Sequence, residues 1–165
     1  MDEKELDKYI NKYLSGDKES FDIIYQETSK GVYLSIRTII SNRSVIEDIM
    51  QDTYIKAIDK LDTYKLGTNF QAWICRIARN NAINHYNKYK REEILDPGNP
   101  VFVIEDKESK LKYYLSFLEG KEKEIVIYHI VLNMGFKDIS KIINIPQSTA
   151  FFLYKKAIKK IKEGL

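Results

Sequence analysis

The chain is predicted to be all-α: two small helical domains joined by an acidic linker, the C-terminal one a helix-turn-helix. Three observations lead there. Apolar residues recur at spacings of three and four with no sustained alternation of period two. Only three Pro and seven Gly interrupt 165 residues. One stretch, 92–110, changes composition abruptly and separates 1–91 from 111–165. At 44% hydrophobic and 31% charged, the chain has enough apolar material to bury a core.

Residues 3–14 form a short amphipathic segment with Leu6, Tyr9, Ile10, Tyr13 and Leu14 on one side, closed by Ser15, Gly16 and Asp17. A second helix, Lys18 to Ser41, carries Phe21, Ile24, Tyr25, Val32, Ile36, Ile39 and Ile40. Its interior Gly31 costs up to about 1 kcal/mol relative to Ala, which predicts a close helix crossing there. Ser44 followed by Glu47 reads as a capping box opening a third helix, Val45 to Leu61. Its expected core face is Ile46, Met50, Tyr54, Ala57, Ile58 and Leu61. The opposite face sets Ile55 among Asp48, Gln51, Asp52 and Asp59. A single exposed Ile is ordinary, but an Ile ringed by acids suits the docking of a basic partner.

From Thr63 to Arg91 there is no Asp or Glu, while Lys65, Arg76, Arg79, Lys88, Lys90 and Arg91 stand among Tyr64, Phe70, Trp73, Tyr86 and Tyr89. Such a run is built to meet a polyanion. Phe70, Trp73, Ile74, Ile77 and Ala78 close into one stripe of a helix from Phe70 to about Lys90, capped by Thr68 or Asn69. Its far side is expected to carry Arg76, Arg79, Asn80, Tyr86 and Asn87. Cations attract a phosphate backbone, while amides and aromatic rings read or stack on bases, so nucleic acid fits this face better than a membrane does. The competing reading is a solvated basic face over a core stripe. The loop from Leu61 to Asn69, bracketed by Tyr64 and Phe70, has the composition to cup an unstacked base.

The linker holds Glu92, Glu93, Asp96, Glu105, Asp106 and Glu108 with Pro97, Gly98 and Pro100. Basic and acidic side chains number 15 and 13 over 1–91, 2 and 6 over 92–110, and 10 and 5 over 111–165, so two positive lobes flank an acidic strap within a net charge of +3. Beyond it, helices are expected at about Ser109–Leu118, Lys121–Asn133, Phe136–Ile143 and Gln147–Glu163. The last two make a helix-turn-helix by spacing: Ser140, then Asn144 where a left-handed residue is needed, then Ala150, with Pro146 leading into the second helix. An ordinary helical hairpin is the alternative.

Cys75 is the single cysteine, which excludes an intrachain disulfide and suits a reduced, cytoplasmic setting. Two His far apart in sequence give no metal-ligand pattern, and the acid-free stretch has no clustered carboxylates for metal-assisted chemistry. No cofactor, metal or catalytic residue is expected. The opening residues lack the order of a signal peptide, and the uncharged run from Ile125 to Phe136 is too short to span a bilayer.

Taken together, the residues from about Phe21 to Leu165 resemble a bacterial RNA polymerase sigma factor of the small extracytoplasmic-function type. Ile46 to Tyr54 (IEDIMQDTY) resembles the family's acidic motif for the polymerase clamp, and Phe70 to Asn80 (FQAWICRIARN) its promoter-melting helix. Leu118 to Glu124 resembles the opening of the family's fourth region, and Ile145 to Thr149 the start of its -35 recognition helix. The resemblance implies a non-enzymatic promoter-specificity subunit whose partners are core RNA polymerase, at its clamp and flap, promoter DNA, and an anti-sigma protein where one exists. A sigma-like helix-turn-helix regulator that does not direct polymerase is the alternative.

Carried over residue by residue, it places polymerase binding on Asp48, Gln51, Asp52 and Ile55. Contact with the -10 element falls to Tyr64, Lys65, Asn69, Trp73, Arg76, Arg79, Asn80 and Lys88, and contact with the -35 element to Gln147, Ser148, Thr149, Phe151, Phe152, Lys155, Lys156 and Lys159. The acidic linker corresponds to the segment in the RNA exit path. One departure stands out: Phe151, Phe152 and Leu153 occupy positions where the family usually has Lys, Ser and Arg, and apolar side chains touch thymine methyls but cannot grip guanine as Arg does.

Overall fold

Among the described residues there are eight α-helices and no strand, as the apolar spacing predicts. The computed structural model describes residues 1–93 and 106–164, with side chains described for 1–90 and 110–164. The central part of the acidic linker therefore lies outside the described residues. The chain divides into two units, Met1–Asp96 and Pro97–Leu165.

In the first unit, α1 (Glu3–Leu14) starts from a reciprocal capping box: the Glu5 amide donates to Asp2 Oδ1 at 2.8 Å and the Asp2 amide to Glu5 Oε2 at 3.3 Å. α2 (Ser20–Arg37) and α3 (Arg43–Asp59) follow. The residue that caps α3 is Asn42, whose Oδ1 accepts from the Val45 amide at 3.3 Å, not the expected Ser44. Asn caps at least as well as Ser and stands two positions earlier, so the helix begins there. A 3-10 turn, Leu61–Thr63, leads into the loop before α4 (Phe70–Glu93).

α4 packs against α1, α2 and α3. That central position gives it a broader buried arc than a surface helix has: Phe70, Ala72, Ile74, Cys75, Ala78 and Ala82 are all buried. Ile36, Ile40, Ile46 and Ile74 are almost fully enclosed, each contributing about 1.5–3 kcal/mol of transfer free energy. The crossing expected at Gly31 is present. A Cβ there would run into the Gln71 side chain and come within 3.2 Å of Cys75 Sγ. Gln71 Nε2 also donates to the Thr28 carbonyl at 3.3 Å, tying α4 to α2, and burial pushes the Cys75 thiol pKa up.

The core face of α3 differs from expectation. Ile49 and Thr53 are buried, Met50 is half-buried and Ile58 exposed. Contact with both α2 and α4 turns the helix so that its inward direction falls nearer Ile49. Thr53 avoids an unpaired hydroxyl by donating to the Ile49 carbonyl at 2.7 Å and accepting from Asn81 Nδ2 at 3.2 Å.

The second unit comprises α5 (Asp106–Leu115), α6 (Gly120–Val126), α7 (Phe136–Ile143) and α8 (Gln147–Gly164). α6 runs on as a π-helical stretch, Ile127–Val131. α4 and α5 extend three residues beyond the expected limits at Lys90 and Ser109, so helix takes in both ends of the expected linker. Asn144 adopts the left-handed conformation required between α7 and α8 (φ 54°, ψ 53°), and Ala150 and Ala157 let α8 seat closely on its neighbours. Glu122 of α6 is buried between two lysines of α8, 2.8 Å from Lys160 Nζ and 3.5 Å from Lys156 Nζ.

Candidate nucleic-acid and partner interfaces

On α3, Asp48, Gln51, Asp52 and Ile55 are all exposed, Ile55 by 58%. Ile55 points directly away from the buried face, so the acid-ringed patch is a real surface. It borders an open groove of about 600 Å³ lined by Phe21, Tyr25, Met50, Tyr54, Ile55 and Ile58, with Glu47 and Gln51 at its edge. Tyr25 and Tyr54 rings lie 4.9 Å apart at its base, and the Tyr54 hydroxyl is paired with Thr28 Oγ1 at 2.8 Å. Burial raises the Tyr54 pKa, so the phenol stays neutral. Sequence reasoning missed Tyr25, Met50 and Ile58 as part of this surface because it counted Met50 and Ile58 toward the core. The i, i+3 pair Ile55 and Ile58 is the signal that could have found it.

The α4 surface is a narrower strip than expected. At 100° per residue, Asn69, Trp73, Arg76, Asn80 and Asn87 lie within roughly 60° of one another, and each is exposed or half-exposed. Asn69 Oδ1 caps α4 by accepting from the Ala72 amide at 3.0 Å. Arg79 is not on this strip. It is only 9% exposed, lies on the same side as Ala72 and Cys75, and is engaged within the fold. A wheel drawn from the sequence places it outward, but the fold covers that side.

The loop before α4 also departs from its expected form. Tyr64 and Phe70 are both buried and meet edge to face at 5.0 Å, so they do not bracket an open space. Trp73 completes the trio, 5.6 Å from Tyr64 and stacked 5.3 Å from Phe70, and is its one ring with substantial exposure. Lys65, Leu66, Gly67 and Thr68 form the exposed part of the loop. Asn80 does not sit beside this loop: eleven residues beyond Asn69, it is about 16 Å further along the helix. Lys88 is exposed near the far end of α4.

In the second unit, Gln147, Ser148 and Thr149 are exposed on the first turn of α8, followed by Phe151 at 47% and Phe152 at 64%. Phe151 rests edge-on against Phe136 at 5.3 Å, with Lys155 Nζ 5.2 Å above its ring. Lys159 lies 3.9 Å from Glu163, and Lys156 reaches back to Glu122. The Lys160 hydrogen bond holds the Glu122 carboxyl below the usual carboxylate range. Lys155 is exposed beside Phe151. Among the described residues no cluster of His, Cys, Asp or Glu could hold a metal ion.

Comparison with known proteins bears on the same elements. The family profile described as Sigma-70 region 2 matches residues 24–92, the stretch holding both the α3 patch and the α4 strip. The chain is 23% identical over 154 residues to the ECF RNA polymerase sigma factor SigM of Bacillus subtilis (strain 168), covering 87% of this chain and 93% of SigM. It is 23% identical to SigW of the same organism, covering 87% and 88%. Among solved structures, it is similar in fold to the sigma factor RpoE of Bartonella quintana, determined with the anti-sigma factor NepR: the TM-score is 0.69 at 22% identity, over 88% of this chain and 96% of that one. Residues 24–92 thus match the Sigma-70 region 2 family model, and over most of its length the chain is similar to RNA polymerase sigma factors of the extracytoplasmic-function type.

Proposed function

We propose that the chain is a promoter-specificity subunit that binds core RNA polymerase and directs initiation at specific promoters. The observation that carries this reading is that one folded unit presents two unlike surfaces on adjacent helices: an acid-ringed apolar patch on α3 and an acid-free strip of Asn, Trp and Arg on α4. The first suits a basic protein helix, the second a nucleic-acid strand. A helix-turn-helix regulator acting without polymerase would need only the second unit.

In this reading Asp48, Gln51, Asp52 and Ile55 engage the polymerase clamp, and the groove beside them takes the partner's apolar side chains. Residues 1–91 read the -10 element, 92–110 link, and 111–165 read the -35 element. Trp73 offers a face for an unstacked base, Asn80 an amide to a base further along the strip, and Lys65, Arg76 and Lys88 attract the backbone. The buried Tyr64 and Arg79 support this surface from within. Gln147, Ser148, Thr149, Phe151 and Phe152 face the -35 groove, with Lys155 and Lys159 beside phosphates. Stacking is worth about 1–3 kcal/mol per base, comparable to the cost of unstacking one, so capture of single-stranded bases is enough to favour opening. The protein makes and breaks no bonds itself.

The solved relative RpoE is bound by an anti-sigma factor, and we extend that partner class to this chain. Among the described residues no helix is long and apolar enough to cross a membrane, and we place the protein in the cytoplasm with its polymerase. Run-off transcription with core enzyme on a promoter library tests the proposal. Discrete transcripts that require the protein support it, and DNA binding without any such transcript points to the regulator instead.

A further inference from the structure

The 64–69 loop is not held by packing at its apex. Gly67 has φ +83°, and a Cβ built on it would meet nothing within 4 Å. Tyr64 anchors one end in the core and Asn69 caps α4 at the other. Within the loop, Thr68 bonds back to the Lys65 carbonyl through its amide at 3.3 Å and its hydroxyl at 2.6 Å. The apex is tied to α1: the Gly67 amide donates to Asp7 Oδ2 at 2.7 Å, while the Tyr64 hydroxyl lies 2.9 Å from Asp7 Oδ1. Leu6 and Ile10, buried on either side of Asp7 in sequence, fix α1 against the core and so fix the carboxylate.

We propose that Asp7 is a positioning residue for promoter capture, clamping the loop into the shape that receives an unpaired base next to Trp73. This rests on reading the first unit as the one that meets the -10 element. Asp7 lies outside the 24–92 stretch that matches the family profile. A bare carboxylate beside a DNA strand would repel it. Here Oδ2 accepts from the Gly67 amide and Oδ1 faces the Tyr64 hydroxyl, so the group shapes the loop with its acceptors. Ordering a short exposed loop in advance removes an entropic cost that would otherwise weaken binding. The clamp also decides what the loop shows: with Tyr64, Gly67 and Thr68 occupied by internal bonds, Lys65 and Leu66 are left exposed.

The hydrogen-bond pattern makes a specific prediction about substitution. The Tyr64 hydroxyl has one proton and two acceptors, Asp7 Oδ1 and the Thr68 carbonyl at 2.7 Å. Asp7→Asn resolves that competition, since its Oδ1 takes the place of the Asp7 Oδ2 that accepts from Gly67, while its Nδ2, in the place of Oδ1, donates to the Tyr64 oxygen, whose proton then goes to Thr68. Asp7→Ala leaves the Gly67 amide without its partner.

The test uses holoenzyme assembled from core polymerase and the full chain, bound to a single-stranded nontemplate -10 oligonucleotide in which each base in turn is replaced by an abasic site. Wild type should lose about tenfold in affinity at the captured position and much less elsewhere. Asp7→Ala should flatten that profile, binding intact and abasic strands alike at the captured position, with unchanged affinity for core. Asp7→Asn should keep the wild-type profile. An Asp7→Ala protein with the wild-type profile overturns the inference, as does one weakened equally at every position together with core binding, the mark of a merely structural role. A wild-type protein that joins core but shows no position dependence overturns the -10 reading itself, and the inference with it.

Discussion

Arg76 and Arg79 stand three residues apart on one helix, and a wheel drawn from the sequence gives them the same role. The structure separates them: Arg76 stands with Trp73 and Asn80 on an exposed strip, while Arg79 is buried. That degree of enclosure is a tertiary property and leaves no trace in local periodicity. The two should therefore fail differently. Arg76→Ala should weaken every promoter similarly and reduce the salt slope by about one unit, with little change in stability. Arg79→Ala should lower stability by about 1–3 kcal/mol, because the side chain is buried and its removal takes packing and polar interaction with it. Urea denaturation and salt-dependent promoter binding of both variants distinguish the cases. Gly31, by contrast, was legible as a close approach from its place inside a helix. Gly31→Ala should cost about 1–3 kcal/mol, since the new methyl displaces Gln71 and crowds Cys75, measurable in the same denaturation series.

At the scale of elements, helix positions followed from the sequence to within a few residues, and the departures have local causes. Asn42 outranked Ser44 as the cap of α3 because it came first with equal chemistry. The core face of α3 was misjudged because a helix gripped by two neighbours buries a direction that its own pattern does not determine. The link between α6 and α8 was invisible, since Glu122 and Lys160 are far apart in sequence. It carries a pH signature. Glu122 is held below the unfolded carboxylate value of about 4.3, so its contribution is complete above that pH and is lost as pH falls through the lower folded value. Thermal melts of the second unit's helical signal should lose stability below about pH 4, and Glu122→Gln should flatten that dependence while lowering stability at neutral pH. On α8, the exposed Phe152 makes a different demand. If it touches thymine methyls in the -35 element, replacing those thymines with deoxyuridine should weaken binding by about 0.8 kcal/mol per lost methyl contact, roughly fourfold, in wild type but not in Phe152→Ala. Equal loss in both proteins would remove Phe152 from the contact.

At the scale of the whole molecule, the all-α class was legible from periodicity and composition, and the similarity to sigma factors from two motifs on neighbouring helices. Less legible was how the surfaces are finished: an apolar groove added to the acidic patch, two supposed DNA contacts withdrawn into the core, and a loop tied down by an N-terminal helix outside the matched motifs. Each depends on residues distant in sequence meeting in space. The central claim joins the two surfaces of the first unit in one task, since a protein that binds core through α3 and DNA through α4 must do both to place polymerase at a promoter. The most direct measurement is promoter-dependent run-off transcription with core enzyme, comparing wild type with Asp52→Lys, whose substitution lies on the exposed patch and should leave stability within about 0.5 kcal/mol. The account predicts discrete transcripts with wild type, and for Asp52→Lys a matching loss of transcript and core affinity that a higher concentration of the variant restores. Wild-type transcript and core affinity from Asp52→Lys would contradict the α3 assignment, and no promoter-dependent transcript from wild type under any condition that forms a complex with core would contradict the claim as a whole.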